Sequence, residues 1–396
     1  MSVLRRTPRW VSSCSTEFHF RELRRSYSSE ETKKWKDLIF SGVQPTGTLH
    51  IGNYFGAVKK WVEFQNEGKN GIYCIVDLHA ITVPKKPKEL KESILKMAST
   101  LIACGIDPSK SILFQQSQVP YHAMLGWIFI CNSTMSRLAQ LPHFKEKTEA
   151  LKEIPAGLFA YPTLQAADIL LYKATHVPVG NDQLQNINLA CHLVNLFNKK
   201  YGNTFPRPQA LMIEGLGSSI KSLRDPAKKM AKSSPDPKSK IDITDSPDEI
   251  RKKCRKAVTD CTSEIFYEPA TRPGVSNLIQ IHSSCTGLSI QETCDSFTNK
   301  DTLALKDSLA DVLIEKLSPI REEIERLQNS PEYIHKILSE GAAKAMTTAE
   351  PNWLEIKKKV GFIGLCEHSI FELELEPGSK VSSLRNVQQK NCWREY

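Results

Sequence analysis

The chain has 396 residues, of which 40% are hydrophobic and 24% charged, a balance ordinary for a globular protein with ample material for a core. At about 100–200 residues per domain, this length predicts two domains with tails. No stretch reaches the ~18 apolar residues of a membrane span, which argues against a membrane protein. The net charge of +9 fits a polyanion partner and plain solubility equally well.

The first 29 residues form a distinct segment. They contain six Arg and two Glu, a net charge of +4, and are rich in Ser. This composition is typical of a mitochondrial transit peptide, and Arg25-Ser26-Tyr27 followed by Ser28 resembles a matrix-protease cleavage site. A basic arm that binds RNA would have a similar composition. We predict that residues 1–29 direct import into the mitochondrial matrix.

Eleven Cys are scattered along the chain without any Cys-x-x-Cys pair, so neither a disulfide framework nor a zinc site is predicted. Cys74, Cys104 and Cys131 lie in apolar runs, which predicts buried thiols. A reducing compartment, cytosol or mitochondrial matrix, follows.

Three short apolar runs are predicted strands. They are DLIFSGV (37–43), GIYCIVDLHAI (71–81) and SILFQQS (111–117). The second is nearly all apolar, as a strand buried on both faces should be.

Helical patterns alternate with these strands. Residues 51–66 and LKESILKMASTLIACG (90–105) carry apolar residues at helical spacing, and Gly105 is a predicted stop. The alternation indicates βαβ units, so we predict an α/β, Rossmann-like domain with a parallel sheet over residues 37–240. Ligands of such sheets bind beyond the carboxyl ends of the strands.

After Ser222 the character of the chain changes. KSLRDPAKKMAKSSPDPKSK (221–240) is polar and contains three Pro, and the runs that follow are helical without a convincing strand. We predict a smaller all-helical domain over residues 241–362 and leave the irregular tail 363–396 without an assignment. One apolar stripe in the helical part is interrupted by Pro319, a predicted kink. Its members are Leu305, Leu309, Leu313, Leu317, Ile320, Ile324 and Leu327.

The first motif follows the first strand directly, in QPTGTLHIGNYFGA (44–57). Pro45, Gly47 and Gly52 allow a tight turn and a close approach of the backbone to a ligand. A helix that begins near Gly52 aims free amides and its positive dipole end into the turn, where His50 can donate to a phosphate. This predicts a nucleotide site. A plain turn with an incidental His would have the same pattern.

The second motif is Lys229-Met230-Ala231-Lys232-Ser233, in the polar loop between the two predicted domains. Two Lys on a mobile loop can approach a triphosphate and neutralise charge on a departing pyrophosphate. A solvated basic run is the alternative. The two motifs in this order, with a parallel-sheet pattern between them, are far more specific than either alone.

Together these motifs resemble the signatures of class I aminoacyl-tRNA synthetases, His-Ile-Gly-His and Lys-Met-Ser-Lys-Ser. The closer resemblance is to tryptophanyl-tRNA synthetases of the bacterial and mitochondrial type, over roughly residues 37–362. It is carried by FSGVQPTGTLHIGNYFGA, YCIVDLHAITV, LFQQSQVP, FKEK, AYPTLQAADILLYKATHVPVGNDQ, FNKKYG, SLRDPAKKMAKS, KAVTD and PGVSNL. Tyrosyl relatives usually have Gly-Ser-Asp-Gln where this chain has Gly180-Asn181-Asp182-Gln183.

A third element, AYPTLQAADILLYKATHVPVGNDQ (160–183), contains Asp168 between apolar residues of a helical stretch. A buried carboxylate there could accept the single N–H of an indole and reject an analogue that lacks it. A solvent-facing charge is the alternative. The resemblance implies that Asp168 is this acceptor. The other tryptophan-binding residues that it implies are Phe40, His79, Tyr161, Gln165, Val177, Val179 and Gln183.

The resemblance also implies the residues that act on ATP. Those expected to bind it are Gln44, Gly52, Asn53, Gly56, Asp182, Lys229, Met230, Lys232 and Ser233. Those expected to stabilise the phosphates and the leaving pyrophosphate, together with Mg²⁺ as cofactor, are His50, Asn53, Lys229, Lys232 and Lys147. No residue is predicted to be a metal ligand.

Several positions depart from the family pattern. Ala231 replaces the usual Ser of the second signature, and Ser234 replaces a usual Asp. Asn181 stands where Glu is common, and His143 where Gln is common. Gln165 stands where many bacterial relatives have Met. Because both loop Lys are present, we expect weakened rather than absent catalysis.

The implied activity is that of a tryptophan–tRNA ligase, with L-tryptophan, ATP and tRNA(Trp) as substrates and a homodimer as the assembly. The implied chemistry is in-line attack of the tryptophan carboxylate on the α-phosphate, then transfer to the 2′-hydroxyl of the terminal adenosine. Two alternatives stay open. One is a small nucleotidyltransferase that makes a coenzyme, which would lack the large helical domain. The other is a degenerate synthetase that only binds RNA, which Ala231 and Ser234 favour.

Overall fold

The computed structural model describes residues 35–141, 153–212, 220–232 and 234–363. Five strands form one parallel sheet in the order β3-β2-β1-β4-β5. They are β1 (Ile39–Val43), β2 (Gly71–Ile75), β3 (Ile112–Gln115), β4 (His176–Val179) and β5 (Gln209–Met212).

Helices connect these strands and make up the chain that follows them. Before β5 they are α1 (Ile51–Asn53), α2 (Lys59–Asn66), α3 (Asp77–Ala80), α4 (Pro87–Ala103), α5 (Tyr121–Cys131), α6 (Met135–Ala139), α7 (Ala156–Leu171) and α8 (Leu184–Tyr201). After β5 they are α9 (Pro247–Arg255), α10 (Pro273–Thr286), α11 (Ile290–Asp295), α12 (Thr302–Gln328) and α13 (Pro331–Val360).

The order of the strands creates a switch point. The chain proceeds from β1 to β2 and β3 on one side, then returns to place β4 on the other side of β1. Connections on the two sides of β1 therefore leave the sheet in opposite directions, and a crevice opens between the carboxyl ends of β1 and β4. The predicted α/β class with a parallel sheet is confirmed.

The strand predicted over 71–81 was too long. β2 ends at Ile75, and Asp77 opens the short helix α3. The Asp77 carboxylate accepts from the backbone N–H of Ser117 at 3.0 Å and from Nε2 of Gln115 at 2.8 Å. These contacts join the end of β2 to the end of β3 and place Asp77 outside the strand. The apolar pattern of residues 71–81 does not indicate this boundary, because it depends on contacts with another part of the chain.

Two apolar clusters hold the molecule together. One lies between the sheet and helices α5, α7 and α8, and the second half of α13 joins it through Ala345, Ala349 and Trp353. The other joins α4 to the helices after β5. All seven residues of the predicted stripe are buried there, and α12 is one helix with Pro319 inside it.

The cysteine predictions are confirmed in part. Cys74 and Cys104 are buried, whereas Cys131, the last residue of α5, is exposed, because this terminal residue does not pack into the sheet-side cluster. Every Cys of the described ranges is a free thiol. In the same ranges, no helix combines the length and apolar character needed to cross a membrane.

Candidate active site

A cavity of about 570 Å³ lies at the switch point, between the carboxyl ends of β1 and β4. Among the described residues it is lined by almost every predicted site residue. These are Phe40, Gln44, His50, Gly52, Asn53, Gly56, His79, Tyr161, Gln165, Asp168, Val177, Val179, Asp182, Gln183, Lys229 and Met230. Lys232 lies just outside this lining, and Lys147 and Ser233 fall outside the described residues.

His50 marks one end of the cavity. It caps α1 and is only 3% exposed, because the segment after the lysine loop pairs with it. Ile51 N donates to Ile241 O at 3.0 Å, and Ile243 N donates to Leu49 O at 3.0 Å. These bonds fix the first motif against the start of the helical part.

The imidazole of His50 is neutral. Burial, followed by the ammonium groups of Lys232, Lys240 and Lys229, lowers the pKa of His50 to about 3. Its Nδ1 is buried and has no hydrogen-bond partner within the described ranges. A polar atom of this kind at a cavity wall is free to bond a ligand.

The turn into the helix is built for close approach. A Cβ atom on Gly52 would lie 3.0 Å from the His50 ring, so a side chain there would displace the imidazole. Asn53 Oδ1 accepts from His50 N at 3.3 Å. The next turn, Tyr54–Val58, is π-helical, and Gly56 on it faces the cavity. Such wide turns recur at functional sites.

The lysine loop lies over this end. Met230 is 3% exposed and anchors the loop in the apolar cluster, which leaves Lys229 on the cavity wall. Nζ of Lys232 donates to Thr46 O at 3.3 Å. Burial, followed by the charge of Lys240, lowers the pKa of Lys232 to about 8, although Asp242 opposes this shift. An anion bound beside Lys232 would reduce the repulsion between the ammonium groups of Lys232 and Lys240.

The loop after β4 brings an acid to the same end. A Cβ atom on Gly180 would lie 2.8 Å from Asp182 Oδ1 and 4.0 Å from Lys229 Nζ. A side chain at this position would therefore displace the Asp182 carboxylate from where it lies, and glycine leaves that place free. Asp182 in turn accepts from Nε2 of Gln183 at 2.9 Å.

Asp168 lies at the opposite end and is 2% exposed. Its Oδ1 accepts from Nε2 of Gln116 at 2.6 Å and from Nδ1 of His122 at 2.7 Å. Its Oδ2 accepts from Nε2 of His79 at 2.8 Å. Burial disfavours the charge, but the hydrogen bond from His122 and the charge and hydrogen bond of His79 together hold the pKa of Asp168 below its ordinary value. The cavity therefore ends in an ionised acceptor.

The donors to Asp168 are themselves held in place. Gln116 Oε1 accepts from Leu78 N at 3.1 Å, which orients its amide so that the nitrogen faces Asp168. Nε2 of His122 lies 2.9 Å from the Tyr172 hydroxyl. Nδ1 of His122 thus faces the carboxylate while Nε2 faces the Tyr172 hydroxyl, and these two contacts fix the orientation of the ring.

The walls between the two ends are flat and apolar. Phe40 stacks on Tyr172 with ring centroids 5.7 Å apart and planes at 14°. Tyr161 meets His79 edge to face at 6.2 Å. Val177 and Val179 are buried on the facing strand. This slot suits a planar aromatic group whose polar atom reaches Asp168.

A chain of amides crosses the mouth of the slot. Asn186 Nδ2 donates to Gln165 Oε1 and to Gln183 Oε1, each at 2.9 Å. Gln165 Nε2 lies 3.3 Å from Gln183 Oε1. This chain fixes the side-chain amides of Gln165 and Gln183, which line the same cavity as Asp168 and Lys229.

Comparison with known proteins then identifies the family. Residues 33–318 match the family described as tRNA synthetases class I (W and Y). The chain belongs to this family. The predicted resemblance is thereby confirmed, because the match covers both motifs and the whole parallel sheet.

Within this family, the chain is similar to proteins that are named as tryptophan-specific. A Halalkalibacterium halodurans protein named tryptophan–tRNA ligase is 44% identical over 326 residues, which cover 82% of this chain and 98% of the relative. A Caenorhabditis elegans protein named as the mitochondrial tryptophan–tRNA ligase is 44% identical over 333 residues, covering 82% and 91%. A solved Campylobacter jejuni tryptophanyl-tRNA synthetase, complexed with ADP and tryptophan, is 30% identical, covers 82% and 99%, and superposes with a TM-score of 0.71.

Sequence reasoning missed part of the site of this synthetase. Gln116, His122 and Tyr172, which hold Asp168, were not predicted as site residues. One signal was available for Gln116, because it follows β3 at the carboxyl edge of the sheet, where ligands of such folds bind. His122 lies inside a helical segment and Tyr172 directly follows one, and only the packing determines which way their side chains face.

Proposed function

We propose that the chain is a tryptophan–tRNA ligase, which activates L-tryptophan with ATP and transfers it to tRNA(Trp). The observation that carries this proposal is the ionised Asp168 at the closed end of a flat apolar slot. Indole offers one N–H donor, and Oδ2 of Asp168 can accept it once His79 yields or shares that oxygen. Phenylalanine has no such donor, so it would gain no hydrogen bond from Asp168, and if its ring displaced His79 the buried charge would lose a partner.

In the first step, a carboxylate oxygen of tryptophan attacks the α-phosphorus of ATP, and the bond from that phosphorus to the pyrophosphate oxygen breaks. Residues of the chain position the two substrates and stabilise charge, since such a reaction needs little covalent work from the protein. The neutral His50 and Asn53 face the phosphates without adding charge. Lys229 and Lys232 neutralise the pyrophosphate as its charge grows.

Magnesium fits this scheme as a companion of ATP. The described residues offer no group of three His, Cys, Asp or Glu side chains that could hold a metal. Mg²⁺ is commonly bound through substrate phosphates, with few protein ligands. When present, it would neutralise the phosphate charge beside Lys229 and Lys232.

In the second step, the 2′-hydroxyl of the terminal adenosine of the tRNA attacks the activated carbonyl and AMP leaves. The helices α9 to α13 would recognise the anticodon end. A homodimer is supported by apolar side chains that α5 and α6 expose, since Met124, Trp127 and Met135 are 46%, 65% and 74% exposed. Sedimentation equilibrium of the purified chain measures this assembly.

A mitochondrial location is supported by two observations. Residues 1–29 have the composition of a transit peptide, although they fall outside the described ranges. One relative of 44% identity is named as a mitochondrial enzyme. We therefore place the activity in mitochondrial translation.

The deciding experiment measures exchange of labelled pyrophosphate into ATP by the protein without residues 1–29. We expect exchange that depends on tryptophan and is absent with tyrosine or phenylalanine, because phenylalanine offers no donor to Asp168 and the phenol of tyrosine presents its O–H from a ring of different size and shape. Equal exchange with tyrosine would refute the assignment of substrate. Absence of exchange with any amino acid, together with binding of tRNA, would favour the degenerate synthetase that only binds RNA.

A further inference from the structure

Lys240 is not assigned to either substrate, yet its ammonium group lies enclosed beside the ATP end of the cavity. Its side chain is only 14% exposed. Nζ donates to the carbonyl oxygen of Lys232 at 3.1 Å and lies 3.5 Å from Asp242 Oδ1. A lysine held in this way loses the side-chain conformational entropy that surface lysines keep. Its two contacts therefore fix the position of the ammonium group relative to Lys232 and Asp242.

The two partners of Lys240 belong to different parts of the site. Lys232 is the second lysine of the loop. Asp242 belongs to the segment that forms an antiparallel bridge with His50, the segment held by the bond from Ile51 N to Ile241 O at 3.0 Å. The ammonium of Lys240 therefore joins the lysine loop to the backbone that is fixed against the first motif.

The loop has few other side-chain bonds at this point. Ala231 has no hydroxyl group that could form a hydrogen bond, and Nζ of Lys232 donates a long hydrogen bond, of 3.3 Å, to Thr46 O. Ser239 Oγ donates to Ser234 Oγ at 2.7 Å, further along the loop. Over the described residues of the loop, Lys240 provides the side-chain hydrogen bond to the backbone of Lys232.

We propose that Lys240 is a positioning residue for the activation step: by binding the carbonyl of Lys232, it holds the lysine loop closed over His50, with the Lys232 ammonium facing the pyrophosphate. This inference rests on the proposed function for its chemistry, whereas the tether itself is a property of the fold.

The charge of Lys240 has a second effect. The groups that face the Lys232 ammonium are Lys240 and the opposing carboxylate of Asp242, and Lys229 and Lys240 also face the nearby His50. After burial, Lys240 is the main cause that lowers the pKa of Lys232 to about 8. Removal of this like charge would raise the pKa of Lys232, so the protonated, active form would persist to higher pH.

Three variants separate the tether from the charge. Lys240→Met keeps the length of the stem but removes both effects, Lys240→Gln can keep a hydrogen bond without the charge, and Lys240→Arg keeps the charge. Lys238→Met is the matched control, because Lys238 is an exposed lysine two residues away in the same loop. Thermal unfolding of each variant tests whether the fold is intact.

The first measurement is hydrogen–deuterium exchange of residues 221–232 in the enzyme without substrates. We expect exchange several-fold faster in Lys240→Met than in the wild type, and unchanged in Lys238→Met, because the loop loses its tether. Equal protection in Lys240→Met and the wild type would overturn the tether, whatever the activity of the enzyme.

The second measurement is the kinetics of tryptophanyl-adenylate formation. We expect Lys240→Met to lower kcat about tenfold with little change in the KM for tryptophan, a smaller loss than the ~10²–10³-fold seen when a charge stabiliser itself is removed. In the pH profile of kcat/KM for ATP, the alkaline limb should move to higher pH in Lys240→Met and Lys240→Gln, and stay in place in Lys240→Arg.

The outcomes distinguish the two proposals. A wild type that forms no adenylate refutes the proposed function, and loop exchange then decides the tether alone. An active wild type with unchanged kcat and an unmoved alkaline limb in Lys240→Met refutes the positioning role and leaves the proposed function standing.

Discussion

At the scale of single residues, Asp168 keeps a negative charge in a place that water hardly reaches, because Gln116, His122 and His79 all direct donors at it. An ion buried without such partners would take up a proton instead. Both oxygens of the carboxylate therefore accept hydrogen bonds, whereas an amide of the same shape has one oxygen that accepts and one NH₂ group that donates. Replacement of Asp168 by Asn changes only this property and so tests whether two accepting atoms are needed.

Asp168→Asn should weaken the use of tryptophan by about 1.5–3 kcal/mol in kcat/KM, the scale of a hydrogen bond to a charged group. The amide must turn its NH₂ either toward Gln116 and His122 or toward His79 and the cavity, and donors would then face donors. The KM for ATP should stay near the wild-type value, since Asp168 lies at the far end of the cavity.

Steady-state kinetics with each substrate varied in turn measures this prediction, and circular dichroism verifies the fold of the variant. If Asp168→Asn binds ATP as weakly as it binds tryptophan, the carboxylate supports the whole site instead of recognising one substrate. Unchanged use of tryptophan would remove Asp168 from the specificity argument altogether.

At the scale of elements, the helix α13 carries the chain from the helical part back onto the sheet. It crosses β3 closely enough that a Cβ atom on Gly341 would lie 1.8 Å from the carbonyl oxygen of Leu113. Such a contact is possible only for glycine, because no side chain can move a buried strand aside cheaply. The close approach brings Ala345 and Ala349 into the cluster around the sheet.

Gly341→Ala should therefore destabilise the protein by about 1–3 kcal/mol, the range for overpacking, despite the better helix propensity of Ala. The matched control is Gly157→Ala in α7, where the nearest atom to an added Cβ is 3.6 Å away and the contact is ordinary. That change should be neutral or stabilise by up to about 1 kcal/mol.

Urea unfolding followed by circular dichroism compares the two variants with the wild type. Equal stabilities for Gly341→Ala and Gly157→Ala would mean that α13 can shift away from β3 at no cost. The proposed crossing would then not contribute to the stability of the sheet.

At the scale of the whole molecule, the two predicted parts are joined by more than the lysine loop. The second half of α13 packs in the sheet-side cluster, and α12 shares an apolar cluster with α4 through Leu309, Leu313 and Leu101. The boundary proposed at residue 240 therefore divides the chain in sequence, while the cores on its two sides are continuous in space.

A fusion of residues 1–35 to a fluorescent protein should enter mitochondria, because the segment is basic, rich in Ser and poor in acids. Its matched control replaces Arg5, Arg6 and Arg9 by Gln, which removes the charge from the first part of the segment and should leave the fusion in the cytosol. Fluorescence microscopy with a mitochondrial dye measures both. A cytosolic signal from the unaltered fusion would support the RNA-binding arm instead.

The sequence by itself determined the class of fold and the identities of the principal groups, because both depend on short-range patterns. Alternating apolar runs predicted the parallel sheet, and residue types at fixed spacing predicted His50 and Lys229, while the resemblance to the synthetases implied the role of Asp168. The tertiary structure alone decided which groups support them. His122 donates to Asp168 from another helix, 46 residues earlier in the chain, and the end of β2 at Ile75 depends on contacts of Asp77 with the end of β3. Spacing along a chain cannot encode such contacts, since they arise only where separate elements pack together.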